Sequence, residues 1–117
     1  MTTRLPNSKN AYIDTRKLKD YCLNPHHPRG KHKAKVFESV LKLKSSDSQF
    51  LQDKILESVQ LQDSERLEAD EYGVRYLVDF EMEFNFHKAV IRTLWIIKNS
   101  EDLPRLTSCF VKSKIAQ

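Results

Sequence analysis

The chain has 117 residues, of which 39% are hydrophobic and 31% charged, with only 2 glycines and 4 prolines, so it is long and apolar enough for a folded domain and is not a disordered segment. No run of about 18 apolar residues occurs, which argues against a membrane-spanning helix, and the first residues lack the apolar stretch of a secretory signal peptide. The formal net charge of +4 conceals basic ends and an acidic middle.

Helices are predicted for the N-terminal half, because apolar residues there recur at spacings of three and four. The predicted segments are an extended arm over residues 1–10, helices over residues 15–23, 31–43 and 48–61, and a polar loop over residues 62–70. Asp14 precedes the first helix and is able to cap its N-terminus, and Asn24-Pro25 ends that helix.

From Tyr72 onward the hydrophobic period changes from 3.6 to 2, which is typical of strands. The predicted segments are strands over residues 74–84, 87–98 and 106–111, a tight connection at Asn85-Phe86, a loop over residues 99–104, and a tail over residues 112–117. The predicted fold class is therefore α+β. We expect one domain over residues 1–117, in which two to three N-terminal helices pack on a short C-terminal antiparallel sheet.

Cys22 and Cys109 are far apart in the sequence and outside any CxxC pattern, so they are interpreted as reduced thiols of a cytoplasmic protein. The histidine-rich segment has no cysteine or carboxylate at zinc-finger spacing, so neither a metal nor another cofactor is expected. No membrane partner is expected either.

Residues 24–37 carry the strongest functional signal in the chain. Three of the four histidines lie there beside four basic residues: His26, His27 and His32 with Arg29, Lys31, Lys33 and Lys35. Imidazole exchanges protons near neutral pH, and clustered cations at a helix N-terminus favour a phosphate ligand. The combination indicates work on a phosphodiester or another polyanion, and the alternative is a solvated loop and helix face. Gly30 is expected to adopt a positive φ in the turn before the helix.

The charge asymmetry bears on the same question. Residues 1–44 hold 11 Lys/Arg and 3 Asp/Glu, residues 45–103 hold 6 and 13, and residues 104–117 hold 3 and none. If the two basic ends adjoin in space, the protein presents one positive face. The alternative is that the charges are dispersed.

Arg92 interrupts an otherwise apolar strand, and a charge there requires either a carboxylate partner or a functional role. Asp79 or Glu81 on the neighbouring strand would be the structural partner. Alternatively, Arg92, Arg105 and a hydroxyl of the last strand line one groove with the basic helix start.

Several short stretches together carry a resemblance. They are Leu5-Pro6-Asn7, Ile13-Asp14, Lys17-Leu18, Asp20-Tyr21, the stretch from His26 to Ala34 with Phe37, the stretches from Glu71 to Tyr76 and from Arg92 to Ile96, and Pro104-Arg105-Leu106. In these residues the chain resembles a family of small bacterial domains of unknown function. That family occurs both as free-standing proteins and as C-terminal tips of polymorphic toxins and phage-associated proteins, and the resemblance covers residues 5–111.

The order of helices and sheet in that family is also similar to the barnase–EndoU–colicin–RelE group of ribonucleases. This similarity implies metal-independent RNA cleavage, in which side chains move protons and cations stabilise the phosphorane. The catalytic candidates are His27, His32, Lys33, Arg92 and Ser108, and the substrate-binding candidates are Arg29, Lys31, Tyr72, Arg75 and Arg105.

Two functions are therefore expected as alternatives. The first is a toxin-type ribonuclease acting on RNA phosphodiesters and held in check by a small cognate immunity or antitoxin protein. The second is a non-catalytic interaction module, either immunity- or antitoxin-like or an adaptor, that binds a protein or nucleic acid through its basic face. The acidic segment 45–103 favours a binding role for its own surface.

Overall fold

Helices form the N-terminal half of the chain and strands the C-terminal half in the computed structural model, which describes residues 3–115. The helices are α1 (Thr15–Lys17), which continues as a π-helical turn (Leu18–Cys22), α2 (Lys31–Leu41) and α3 (Ser48–Ser58); the strands are β1 (Ser64–Asp70), β2 (Gly73–Phe84), β3 (His87–Lys98) and β4 (Arg105–Ile115). The predicted α+β class and the order of helices and sheet are confirmed. Within residues 3–115, no helix has both the length and the hydropathy to cross a bilayer.

The sheet is antiparallel, in the order β1-β2-β3-β4, and is larger than the short sheet predicted. The loop prediction for residues 62–70 is wrong, because Ser64–Asp70 pairs with β2 as an edge strand. Its mostly exposed polar side chains show no alternation, so backbone pairing defines this strand. The last strand is also longer than predicted, and its end includes residues 112–115 of the predicted tail.

The N-terminal arm crosses the sheet from the edge strand β1 to the edge strand β4. Arg4 forms an isolated bridge with Asp63 beside β1, and Tyr12 forms another with Arg105 at the start of β4. Between them, Leu5 is buried in the core, and Ser8–Asn10 form a 3-10 turn. Residues 1, 2, 116 and 117, which belong to the predicted arm and tail, lie outside the described residues.

One face of the sheet packs against the helices and forms the core. The core-facing residues include Val78, Phe80 and Met82 of β2, Ile91 and Trp95 of β3, Phe37 and Leu41 of α2, and Leu51 and Ile55 of α3. Thr93 is a buried polar residue of this face, and its hydroxyl both donates and accepts a hydrogen bond. Its Oγ1 donates to the Val78 carbonyl at 2.7 Å and accepts from Trp95 Nε1 at 2.8 Å, so burial leaves neither group unpaired.

Candidate functional site

The loop that leads into α2 is built around the His27 ring. His27 Nδ1 accepts from the backbone N–H groups of Arg29 at 3.0 Å and Gly30 at 2.9 Å, so the proton of the neutral ring lies on Nε2. The His27 carbonyl accepts from the Lys31 N–H at 3.0 Å. His27 therefore satisfies N–H groups at the start of α2, a structural role beside its predicted catalytic one.

Gly30 is required at this position by close packing. Its φ of −85° is right-handed, so the expected positive φ is wrong. A Cβ at Gly30 would overlap the carbonyl oxygen of Tyr21, which leaves no space for any larger residue. The absence of a side chain at Gly30 thus lets the start of α2 pack closely against the π-helical turn.

Tyr21 joins the π-helical turn to the cations around the start of α2. Lys33 Nζ donates to Tyr21 Oη at 3.2 Å and lies 5.3 Å from the ring centroid, and Lys17 Nζ lies 6.0 Å from the same centroid. The His27 ring meets the Tyr21 ring edge-on at 4.9 Å between centroids. Lys33 thus has a partner within the protein.

Beneath this cluster the two cysteines, distant in the sequence, come together as buried free thiols. The hydrogen bond with the Cys109 thiol lowers the pKa of Cys22, with a smaller contribution from nearby Lys33. The hydrogen bond with Cys22 and burial raise the pKa of Cys109 well above its usual value. Ser108, which also lowers the pKa of Cys22, has a buried Oγ, so this hydroxyl is not in a position to reach a phosphate at the surface.

Two adjoining cavities run along the exposed side of α2 and form what is called here the α2 groove. The first, of about 280 Å³, is lined by Pro25, Lys31, His32, Lys35 and Glu38, and the second, of about 490 Å³, by Lys35, Glu38, Ser39, Lys42 and Lys44. Four lysines and one histidine thus line a continuous groove that contains one carboxylate. No ion pair involves these lysines within the described part of the chain.

The cations at the start of α2 interact unfavourably with the helix dipole. The first turn contains no acidic residue and begins with Lys31, His32 and Lys33. Cations near a helix N-terminus are unfavourable by roughly 0.3–1 kcal/mol each, because the unpaired N–H groups there carry positive partial charge. Helix stability therefore does not account for their presence, whereas an anionic ligand would relieve the repulsion.

Arg92 lies on the sheet face opposite the helices and is held by a carboxylate. Its Nε and Nη2 donate to the two Asp79 oxygens at 2.9 Å each, and Lys112 Nζ donates to the same carboxylate at 3.3 Å. The hydrogen bond from Arg92 lowers the pKa of Asp79. The structural partner expected for Arg92 is therefore present, and the groove that Arg92 was expected to share with the basic helix start is not formed.

The remaining candidates are dispersed. Arg75 donates to Asp70 at 2.7 Å beside a cavity of about 670 Å³ in which two arginines are balanced by two carboxylates. Tyr72 is exposed in the β1–β2 turn. Arg105 donates to both Glu101 oxygens, at 2.8 and 2.6 Å, and its guanidinium lies 4.9 Å from the Tyr12 ring centroid.

The structure thus brings together five of the ten candidates. Lys31 and His32 line the α2 groove, while His27, Arg29 and Lys33 surround the start of the same helix. Four groove residues were not among the ten candidates: Lys35, Glu38, Lys42 and Lys44. Residues 35, 38 and 42 nevertheless recur at spacings of three and four on the polar side of the predicted helix. That polar stripe was the signal available in the sequence.

Comparison with known proteins identifies a family for this chain. A family model described as a domain of unknown function, DUF6883, matches residues 4–113. Neither a curated protein nor a solved structure matches the chain. The expected resemblance to a domain of unknown function is confirmed, while toxin association and the ribonuclease fold stay predictions.

Proposed function

The chain belongs to the DUF6883 family, and we propose that it binds RNA through the α2 groove. The observation that carries the proposal is a set of lysines along α2 that make no ion pair with any residue of 3–115, with a single carboxylate among them. Neutralising backbone phosphates releases counterions, which supplies most of the affinity of a basic surface for nucleic acid. A different open cavity, beside β1, has balanced charges and lacks this driving force.

Charge reversal in the groove tests the proposal. The triple variant Lys31→Glu, Lys35→Glu and Lys42→Glu should weaken binding of a labelled RNA oligonucleotide at least ~100-fold at about 0.1 M salt. The matched control reverses Lys9, Lys98 and Lys114, which are exposed, lie outside the groove and change the net charge equally. Anisotropy titrations should show nearly wild-type affinity for the control. Equal losses in both triples would show that net charge, not the groove, governs binding.

A second candidate function, metal-independent RNA cleavage, is favoured by one further observation. Glu38 and His32 line the same cavity as Lys31 and Lys35. In the proposed reaction the Glu38 carboxylate takes the proton of a 2′-hydroxyl as that oxygen bonds to phosphorus. Protonated His32 gives its proton to the departing 5′-oxygen as the P–O5′ bond breaks, and the lysines stabilise the phosphorane. A 2′,3′-cyclic phosphate and a free 5′-hydroxyl are the products.

Cleavage is tested separately from binding. His32→Gln and Glu38→Gln should each lower the cleavage rate roughly 10²–10⁴-fold, with affinity changed only a few-fold. His26→Gln, at an exposed histidine outside the groove, is the matched control. His27→Gln tests the other predicted proton carrier. If RNA stays intact in the presence of the wild-type protein, cleavage is rejected and RNA binding alone remains as the proposed function.

The toxin-type role and the small cognate partner are proposals that rest on cleavage. A protein that cleaves cellular RNA would arrest growth when it is expressed alone, and a partner with an acidic surface would fit the groove. Induced expression of the wild type should slow growth, and the His32→Gln variant should not. If both the wild type and the His32→Gln variant arrest growth, the arrest is not caused by RNA cleavage at His32.

A further inference from the structure

Glu38 is the carboxylate among the lysines of the α2 groove, and it lies where the two cavities adjoin. It lines both of them, as Lys35 does. Lys35 precedes Glu38 by three residues and Lys42 follows it by four, and these are the spacings at which helical side chains are neighbours. Across the part of the chain that the structure describes, the carboxylate nevertheless forms no ion pair and accepts no hydrogen bond.

A carboxylate at this position opposes the binding of any polyanion, because it repels a phosphate that lies close to it. Stabilisation of the helix does not account for Glu38 either, since it forms neither of the ion pairs that its spacing to Lys35 and Lys42 permits. A ligand that carries a hydrogen-bond donor beside its phosphates offsets the repulsion, because the carboxylate accepts that hydrogen bond. The groove therefore fits a ligand with both groups.

The side chains of the groove differ in what they are able to accept. An ammonium group has three donors and no acceptor, so the lysines bind phosphates whatever sugar those phosphates carry. The Ser39 hydroxyl donates its proton to the Val36 carbonyl at 3.4 Å. A neutral His32 ring offers one acceptor nitrogen, whereas the Glu38 carboxylate offers two charged oxygens. Glu38 is thus the strongest acceptor among the residues that line the groove.

We propose that Glu38 makes the α2 groove specific for ribose, because its carboxylate accepts a hydrogen bond from the 2′-hydroxyl of an RNA strand whose phosphates contact Lys35 and Lys42. This inference rests on the proposed RNA binding and goes beyond it, since lysines alone attract RNA and DNA through their phosphates. The 2′-hydroxyl is on the carbon next to the one that bears the 3′-phosphate, so an acceptor between two phosphate-binding lysines is close to it.

The 2′-hydroxyl is the group by which a protein distinguishes RNA from DNA. A deoxyribose would leave the Glu38 carboxylate beside a phosphate without a donor, and sites built around such a hydrogen bond reject the ligand that lacks the hydroxyl. The contact does not require cleavage, because accepting a hydrogen bond breaks no covalent bond. Selection of ribose is therefore expected even if the protein only binds RNA.

Oligouridylate and oligodeoxyuridylate of equal length test the inference, because they differ only in the 2′-hydroxyl. The wild type should bind the ribose form about 10- to 100-fold more tightly, the effect of one hydrogen bond to a charged acceptor. In Glu38→Ala the preference should fall below about threefold, since DNA is no longer repelled and RNA loses its hydrogen bond. Glu38→Gln keeps a neutral acceptor oxygen and should retain an intermediate preference. Both variants should fold normally, because the position is exposed on a helix.

Two controls separate the hydrogen bond from charge and from sugar shape. Glu57→Ala, at an exposed glutamate of α3 outside the groove, changes the net charge equally and should keep the wild-type preference. An oligouridylate with fluorine at the 2′ position keeps a ribose-like sugar pucker without the donor, so the wild type should bind it as weakly as the deoxy form. Denaturing gels of the titrated samples verify that the RNA is intact.

Two results would overturn the role of Glu38 and leave the groove intact: equal affinity of the wild type for both sugars, or a ribose preference that persists in Glu38→Ala. Wild-type RNA affinity in the triple variant with Lys31, Lys35 and Lys42 reversed would instead reject the proposed function, and the ribose specificity with it.

Discussion

The α2 groove and the outer face of the sheet are both rich in charge, but their charges are arranged differently. On the outer face, Arg92 and Lys112 converge on Asp79, so both of these cations have a carboxylate partner. In the α2 groove, Lys31 and Lys35 make no ion pair within residues 3–115. Ion pairing, and not the number of charged residues, therefore distinguishes a structural surface from a candidate binding surface.

The two regions also act on stability in opposite directions. The Asp79–Arg92 pair is half-buried, with side-chain exposures of 25% and 27%, and each group stabilises the charged form of the other. The cations at the start of α2 repel the helix dipole and have no acidic neighbour in the first turn. If the α2 groove binds the proposed ligand, this loss of stability is an instance of the usual conflict between function and folding.

The largest loss of stability should follow from disturbing the close packing of Gly30, which positions the start of α2. Gly30→Ala places a methyl group against the Tyr21 carbonyl and should cost roughly 3 kcal/mol or more of unfolding free energy, because backbone must move to admit it. Urea unfolding followed by circular dichroism measures this cost. Ser39→Ala, at an exposed position of α2, should be nearly neutral. A stable Gly30→Ala protein would mean that the start of α2 does not pack against Tyr21 as described.

Breaking the ion pair on the outer face should have a smaller effect on stability and none on binding. Asp79→Asn should cost about 1–2 kcal/mol, because Arg92 and Lys112 lose their shared carboxylate in a half-buried setting. Glu81→Gln, at an exposed residue of the same strand, is the control and should be neutral. RNA affinity should stay within about twofold of wild type in both variants. A large loss of affinity in Asp79→Asn would give the outer face a function.

The same pair predicts how stability depends on pH. Arg92 lowers the pKa of Asp79 below its ordinary value of 3.8, so the folded protein holds this proton less tightly than the unfolded chain. Its contribution is therefore fully present above that ordinary value and is lost as pH falls through the folded pKa. Chemical unfolding from about pH 6 down to about pH 2 should show a smaller acid-side loss in Asp79→Asn than in the wild type. Identical acid profiles would contradict the assigned partner.

Removing one groove cation should have the smallest effect on stability, and the effect should be a gain. Lys31→Gln should raise the unfolding free energy by a few tenths of a kcal/mol to about 1 kcal/mol, because it removes positive charge from the helix N-terminus. Lys42→Gln, just beyond the C-terminus of α2, should bring no gain. Both variants should bind RNA more weakly than the wild type. A loss of stability in Lys31→Gln would indicate that the lysine has a structural partner.

The elements with a clear hydrophobic period were predictable. The strand over residues 87–98 has the predicted bounds, since its apolar centre and the flanking turn and loop define it. The start of α2 was also predicted, although its C-terminus lies at Leu41, two residues earlier than expected. β1 was missed because its side chains are mostly exposed and its pairing with β2 uses backbone groups, which hydrophobic periodicity does not report.

The candidate site was predictable only where it is local in sequence. His32 and Lys31 follow each other on one helix, so their shared surface was visible as a cluster. Arg92 depended on strand register, which decided between a carboxylate partner and the basic groove. The meeting of Cys22 with Cys109 and the burial of Ser108 depended on how the π-helical turn packs on β4, which no local pattern encodes.

A chemical-shift titration tests the central contrast between the two surfaces most directly. Labelled protein titrated with a short RNA oligonucleotide should show its largest amide shifts over residues 31–44. Amides near Asp79 and Arg92 should remain in place. Shifts concentrated on the outer face of the sheet, or no localised shifts at saturating RNA, would contradict the assignment of the α2 groove as the binding surface.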